Sequence, residues 1–493
     1  MKNENVEDRR ALLRGGRRYV MAYGCARAWA TLTFTGASAG AIGGPAGGPA
    51  GGAAGGAAGG AAVAAAIPWS FDTHFTFDLA YIVVSILLVL LFRRFIPLNE
   101  NRMMKFVSFG CMLAASIAVV LAPWVPEASF SLMVGGSLAA GVGYGLFLLL
   151  AAEVLCSFSL LRIFLFLSGA MLLGVVITFF CQGMGVWQAS AALVALPVLA
   201  SLYLHGAYER IPAAERPKRG VPKFSYPWKL FVLYGLYAFA YGMRANQLAW
   251  GAGRHSSLST FILMAVLFLT AYFASRRFNI GLLYRSPVVL MVCGFLLVPA
   301  QSLLGAAASS YLIAISYSLM SFLVMLLLYD ISRRLGVAIV VFMAIKNAEQ
   351  LFQVVGGEVP GLLAQAGLPA ATQDFVVTII VAVLILAATV LLFSEKELAS
   401  KWGVSILEEG GLIERTAEEE RVSERVEELS ATYRLSPREQ EVLALLAEGK
   451  TGRVIQQELF IAEGTFKAHT RHIYEKMGIN SRKELFELLG VSS

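Results

Sequence analysis

Two groups of side chains in this sequence are spaced for chemistry. The first lies in an otherwise apolar stretch, "VFMAIKNAEQLFQVVGGE" (residues 341–358), where Lys346, Glu349, Gln350 and Gln353 fall at i, i+3, i+4 and i+7. On a helix this spacing puts all four on one face. A cation, an acid and two amides inside an apolar segment either line a ligand cavity or tie neighbouring helices together. The second group is in "EGTFKAHTRHIYEKMG" (residues 463–478). Read as a helix, it buries Phe466, Thr470, Ile473 and Met477 and turns Thr465, Lys467, Ala468, Arg471 and His472 outward, with Lys476 near its end. A basic, hydroxyl-bearing face of this kind suits the phosphates of a nucleic acid.

The elements that carry these groups differ sharply. Over its 493 residues the chain is 57% hydrophobic and 15% charged, against about 45–50% and about 25% in soluble domains. The excess is gathered into uncharged runs such as "LAYIVVSILLVLLF" and "FVVTIIVAVLILAATVLLF". Runs of about 20 apolar residues match the thickness of a bilayer core, so the chain reads as an all-α polytopic membrane protein. Twelve spans are predicted near residues 18–37, 77–95, 105–123, 130–151, 160–181, 186–205, 229–247, 257–275, 287–304, 309–329, 336–356 and 374–393. They form two sets of six around a basic central loop.

Charge on the loops orients them. Lys2, Arg9, Arg10, Arg14, Arg17 and Arg18 precede the first span, and Arg93, Arg94, Arg102 and Lys105 follow the second. The central loop carries Arg210, Arg216, Lys218, Arg219, Lys223 and Lys229, and later alternate loops carry Arg276, Arg277, Arg285, Arg333 and Arg334. The intervening loops hold almost none. By the positive-inside rule both termini face the cytoplasm, which implies a multi-pass protein of a bacterial inner membrane. The Gly/Ala-rich segment 38–66 contains "GAIGGPAGGPAGGAAGG"; glycine at this density disfavours a helix, so it is expected as an outer loop. The cysteines (Cys25, Cys111, Cys156, Cys181, Cys293) form no CxxC pair and are expected as buried free thiols.

Two further cations, Arg27 in the first span and Arg244 in the seventh, would add positive charge to a cavity and favour an anionic or polar ligand. For Arg244, snorkelling to the interface is the alternative. Glu153, at the inner end of the fourth span, is expected to face cytoplasmic water. No phosphate-binding loop, HExxH or paired His/Cys spacing occurs, so no metal, cofactor or enzymatic activity is expected. The six-plus-six arrangement resembles the major facilitator superfamily, whose two halves surround a midplane cavity. The loop after span two, "FRRFIPLNENRMMKF", lacks the Gly and Asp of that superfamily's signature.

After Phe393 the composition turns acidic. Residues 394–434 carry eleven Glu, and Val422, Val426, Leu429 and Tyr433 fall at i, i+4, i+7 and i+11. That predicts an amphipathic helical linker whose stripe packs on the tail or on a second copy. Four helices follow in 435–493. "LSPREQEVLALLAEGK" opens with Ser436 as N-cap, Pro437 and Glu439, a capping box, and Gly449 suits its end. "TGRVIQQELF", the 463–478 helix and "NSRKELFELLG", with a second box from Ser481 to Glu484, complete the set. "FIAEG" is a tight helix-turn-helix joint. Eight Lys/Arg balance eight Asp/Glu in 435–493, so affinity for DNA must come from local placement of cations.

The tail, from Leu435 to about Leu489, resembles the LuxR-type (NarL-like) helix-turn-helix domain in its S-P-R-E-x-E-V-L opening, Gly449, E-G-T-x-K-x-H core, Lys476 and Ser481–Arg482 pair. The resemblance implies that the third helix enters the major groove of double-stranded promoter DNA, that Thr465, Lys467, His469 and Arg471 make the contacts, and that the domain binds as a homodimer. The chain departs from the family at Ala462, where a capping Ser or Thr is usual, at Val454 and Gln456 in the second helix, and at Phe466, where Val is usual. Together these readings imply a membrane-bound one-component transcription regulator: 1–17 cytoplasmic, 18–393 a transmembrane sensor of an unknown small molecule, 394–434 a linker and 435–493 the DNA-binding domain. The alternative is a secondary transporter with an appended regulatory domain.

Overall fold

A computed structural model describes residues 16–34, 73–91, 95–212, 216, 226–252, 257–273, 280–299, 306–335, 337–365, 369–392, 422, 425–447, 450, 452–459 and 461–489. The Gly/Ala-rich segment 38–66, most of the acidic linker, Gly449 and three of the central loop's basic residues (Lys218, Arg219 and Lys223) lie outside them. The described residues are helices and short connections, with no strand.

Thirteen helices cover the twelve expected spans. The first half is α1 (Arg17–Phe34), α2 (Thr73–Leu91), α3 (Arg102–Leu121), α4 (Ser129–Cys156), α5 (Leu160–Gln182) and α6 (Val186–Tyr208). The second is α7 (Trp228–Ala252), α8 (Ser257–Phe273), α9 (Ile280–Leu296), α10 (Ala306–Leu335), α11 (Ile339–Asn347), α12 (Glu349–Gln365) and α13 (Ala370–Leu392). Seven helical stretches among the described residues are long and apolar enough to cross a membrane, and three more are apolar but shorter. α1 and α7 are absent from both groups; three arginines interrupt the eighteen residues of α1. The eleventh span departs from a continuous helix. It breaks at Ala348, whose amide bonds to Ile345 at 3.0 Å, between Lys346–Asn347 and Glu349.

Within the first half α1 packs on α5 and α6, and α4 on α2 and α3; within the second, α7 packs on α12 and α9 on α10 and α13. The halves meet through α5 against α8 and through α11 against α2 and α4. Lipid offers no hydrophobic drive between helices, so close approach and polar ties hold them. A Cβ on Gly242 would come 2.1 Å from the Gln353 carbonyl oxygen, and one on Gly356 2.2 Å from that of Phe239. α7 and α12 therefore touch backbone to backbone. Trp29 Nε1 donates to Ser116 Oγ at 2.8 Å, and Asn347 Nδ2 reaches across the halves to Ser85 Oγ at 3.1 Å.

Packing is uneven along the helices. Most of residues 143–155, 160–168, 319–332 and 337–344 are buried, whereas 129–135 and 171–180 are largely not. The sealed end holds the 157–159 connection, where Arg333 Nη1 donates to the Phe158 carbonyl at 3.3 Å and Cys156 Sγ lies 3.8 Å from Ser332 Oγ. Glu153 belongs to this seal and does not face water as expected: it is 1% exposed. Its Oε1 accepts from Leu98 N at 2.7 Å, and its Oε2 accepts from Asn99 N at 2.9 Å and Asn99 Nδ2 at 3.0 Å. The carboxylate caps the Leu98–Glu100 turn after α2, a burial made possible by three donors on one acid. The cysteines are all free, but Cys293 is exposed on α9 and only Cys25 and Cys181 are buried.

The backbone contact of α7 and α12 yields a direct test. Gly356→Val should lower the stability of the detergent-solubilised protein by about 1–3 kcal/mol through overpacking, while Gly361→Val, with open space around its Cβ position, should change little. Thermal unfolding of the two variants side by side checks this.

Candidate functional site

The tail is built around its own core. A helix at 425–432, α14, leads into α15 (Pro437–Ala447), α16 (Gly452–Leu459), α17 (Glu463–Met477) and α18 (Arg482–Leu489). Leu429, Val442, Leu443, Leu446, Ile455, Ile473, Met477 and Leu485 are buried together, with Val422, Val426 and Tyr433 packed against them. The apolar stripe of the linker is thus occupied by the tail itself. Arg425 fastens α14 to α18, donating from Nε to the Leu488 carbonyl at 3.2 Å.

α15 begins as its residues dictate. Ser436 N donates to Glu439 Oε2 at 2.7 Å and Glu439 N to Ser436 Oγ at 3.4 Å, the reciprocal capping box. α18 starts on a shifted version. Glu484 N donates to Ser481 Oγ at 3.2 Å, but the Glu484 carboxylate takes the Asn480 amide at 2.9 Å instead of that of Ser481. The Asn480 amide, together with the Ser481 hydroxyl donating to Glu484 Oε1 at 2.9 Å, holds the Glu484 carboxyl below its usual range. α17 ends at Gly478, in the left-handed region at φ 67°, where glycine carries no Cβ penalty.

The start of α17 lacks a side-chain cap, as Ala462 dictates. Glu463 in its first turn places a negative charge at the positive end of the helix dipole. It also pairs with Lys467, Nζ to Oε1 at 2.7 Å, an exposed i,i+4 pair, and that bond holds the Glu463 carboxyl below its usual range. Arg471 Nε lies 3.5 Å from Glu475 Oε1, also exposed. Thr465, Lys467, Arg471 and His472 are exposed and Ala468 and His469 half-buried. Exposed pairs of this kind contribute about 0.2–1 kcal/mol, so neither Lys467 nor Arg471 is held firmly by its partner.

Lys476 is placed differently. Its Nζ donates to Glu439 Oε2 at 2.6 Å, and the Glu439 side chain is only 6% exposed. His472 Nδ1 is 4.0 Å from the other carboxylate oxygen. Burial alone raises the Glu439 carboxyl, but hydrogen bonds from Lys476 and Ser436 and the Lys476 charge outweigh it and bring it down to about 2. Lys476 therefore sets the angle of α17 on α15 through a charge that α15's own cap has already oriented. The capping-box Glu was legible in the sequence, but its second partner thirty-seven residues on was not.

Phe466, the enlarged core residue, is accommodated by Gly452 at the start of α16. A Cβ there would approach the ring to 2.7 Å.

The other constellation lies between the membrane halves. Lys346 is 8% exposed, with Nζ 3.5 Å from Glu349 Oε2 and 5.1 Å from the centre of the Tyr234 ring. Tyr317 donates to Glu349 Oε1 at 3.1 Å and stacks on Tyr241, ring centres 4.6 Å apart. Arg27 reaches the same region from α1, hydrogen-bonded to Tyr144 and near Tyr23 and Tyr317. Gln350 and Gln353 are half-buried on α12, Gln353 with its backbone against Gly242. Arg244 is buried, at 4% exposure, and not snorkelled. These tyrosines come from four helices, and only Tyr234 and Tyr241, seven apart on α7, share a spacing legible in sequence. No His/Cys/Asp/Glu group suited to a metal occurs among the described residues.

Comparison with known proteins bears on the tail. The family described as "Bacterial regulatory proteins, luxR family" matches residues 433–489. The C-terminal segment is a LuxR-family DNA-binding domain. Over 50 residues it is 42% identical to the nitrate/nitrite response regulator protein NarL of Escherichia coli K12, and over 53 residues 43% identical to the oxygen regulatory protein NreC of Staphylococcus aureus JH9. These alignments cover 10% and 11% of this chain and 23% and 24% of those relatives, so the chain matches about a quarter of their length.

Two predictions follow from the LuxR-family domain's packing. Lys476→Ala leaves the Glu439 carboxylate without its cation and should cost about 1.5–3 kcal/mol, the range for a charged hydrogen bond, read as a lower Tm of the tail transition. Because the Glu439 carboxyl is depressed in the folded state, its contribution is complete above about pH 4.3, the unfolded value, and is lost as pH falls toward 2. A Lys476→Ala protein should accordingly lose less stability than the wild type over that interval of acid titration. Separately, Gly452→Ala should destabilise the tail, and Phe466→Val in the same chain should restore it; additive losses in a double-mutant cycle would contradict the contact.

Proposed function

We propose that the chain is a membrane-bound, one-component transcription regulator, in which 18–393 senses a small molecule and the tail binds promoter DNA from the cytoplasmic face of a bacterial inner membrane. The observation that carries this reading is the joining, in one chain, of a LuxR-family domain with its own core to helices long and apolar enough to span a bilayer. The linker runs from 394 to about 421, and the DNA-binding unit begins at α14, since Val422, Val426 and Leu429 pack into it. Thr465, Lys467, Ala468, His469, Arg471 and His472 form the groove-facing surface, with Lys467 and Arg471 as phosphate or base contacts. Lys476 positions this helix through Glu439 and meets DNA only beside that role. The domain acts as a homodimer on two half-sites.

Sensing and binding are coupled by population shift. A ligand that favours one arrangement of the two six-helix halves changes the tail only to the extent of its unequal affinity for the two arrangements. The polar centre of Arg27, Lys346 and Glu349, which draws on both halves, is the place for such a ligand. Gln350, Gln353 and Arg244 lie on the adjoining faces of α12 and α7.

Nuclease footprinting of the full-length protein in detergent, on DNA flanking its own gene, tests the reading. A protected site of two half-sites is expected. Lys467→Ala should weaken protection and reduce the slope of log affinity against log salt by about one, with the thermal unfolding curve unchanged. An unaltered footprint would remove the assignment of this face.

A further inference from the structure

The polar centre between the halves is asymmetric in charge. Lys346 has its counter-ion in Glu349, 3.5 Å away, and its aliphatic stem is enclosed. Arg27 has none. Among the described residues the groups around its guanidinium are phenols, Tyr144 in a hydrogen bond and Tyr23 and Tyr317 nearby, and no carboxylate pairs with it. Among the described residues Arg27 is thus a cation with no acid partner, held on a fork of donors suited to a bidentate acid. A half-buried cation lacking a counter-ion within an apolar bundle is costly, and a bound anion reduces that cost.

The walls specify the rest of the ligand. Tyr144 lies 6.2 Å from both Trp29 and Phe77, ring centre to ring centre. Tyr241 and Tyr234 lie nearly parallel to Tyr317, at 9° and 7°, and Arg27 is near both Tyr144 and Tyr317. Tyr81, stacked on Phe77, is within electrostatic reach of Glu349, Tyr144 and Tyr317. Flat aromatic faces select a flat aromatic body. The end of the bundle carrying the 157–159 connection is sealed by Glu153, Arg333 and the buried residues around them, so the approach lies from the opposite end.

We propose that this centre is a site for a small aromatic monocarboxylate, whose carboxylate pairs with Arg27 and whose ring lies among Tyr144, Tyr317 and Tyr241. The site deepens the sensor reading and rests on it for its biological role, but its binding chemistry is testable apart from DNA.

The test is thermal unfolding of the full-length protein in detergent with benzoate, phenylacetate or 2-naphthoate, against benzamide and benzylamine. At least one of the acids should raise Tm in proportion to the logarithm of its concentration once the site fills, and neither the neutral nor the cationic compound should. Arg27→Gln should abolish the shift while leaving the unliganded Tm at or above that of wild type, because an unpaired charge has been removed. Lys467→Ala, in the tail, should retain it. An equal shift with benzamide, a shift that survives Arg27→Gln, no shift with any of the three acids, or a much lower unliganded Tm in Arg27→Gln would each overturn the proposal. An acid that binds as expected yet leaves the promoter footprint unchanged would instead remove the sensing role and leave the site standing.

Discussion

Charges and polar groups taken out of water must find partners within the protein, and that constraint organises both parts of this chain. In the membrane part the partners come from other helices. Glu153 gathers three donors from the turn after α2, and Glu349 takes Lys346 from its own span and Tyr317 from α10. In the tail, Glu439 is satisfied by its helix's own first turn and by Lys476 from α17. Each acid is a junction, so each couples elements distant in sequence.

The membrane helices have no water to expel from between them, so their contacts rest on small residues and a few hydrogen bonds. The reciprocal approach of Gly242 and Gly356 locks α7 to α12, and α12 begins where the eleventh span breaks, beside Lys346 and Glu349. Asn347, beside that break, ties the halves through its bond to Ser85. At the far end of the chain, α17 stands on α15 through one ion pair and through Phe466 against Gly452. Among the described residues its exposed face carries the short-range pairs Lys467–Glu463 and Arg471–Glu475.

Much of this was legible in the sequence, and the parts that were not share a cause. Periodicity located a helix in every expected span and all four helices of the helix-turn-helix unit, because 3.6-residue spacing, caps and apolar run lengths are local properties. The Lys346–Glu349 pair was legible as i,i+3 neighbours; the break at Ala348 between them was not, since no Gly or Pro marks it. Spacing predicts the wrong exposure for Glu153 and Cys293, and it places Lys476 on a surface face without revealing its bond to Glu439. Burial depends on which other helix arrives, and residue spacing along one helix is silent on that.

The sequence by itself determined the helical class, the membrane-spanning composition, the family of the tail and the outward residues of its third helix. Local propensity, hydropathy and capping chemistry decide these within a few turns of chain. Only the tertiary structure decided that Lys476 serves Glu439, that the linker's apolar stripe is covered by its own domain, and that Arg27 meets tyrosines but no described acid. Those outcomes depend on contacts between residues tens to hundreds of positions apart, formed when the helices pack.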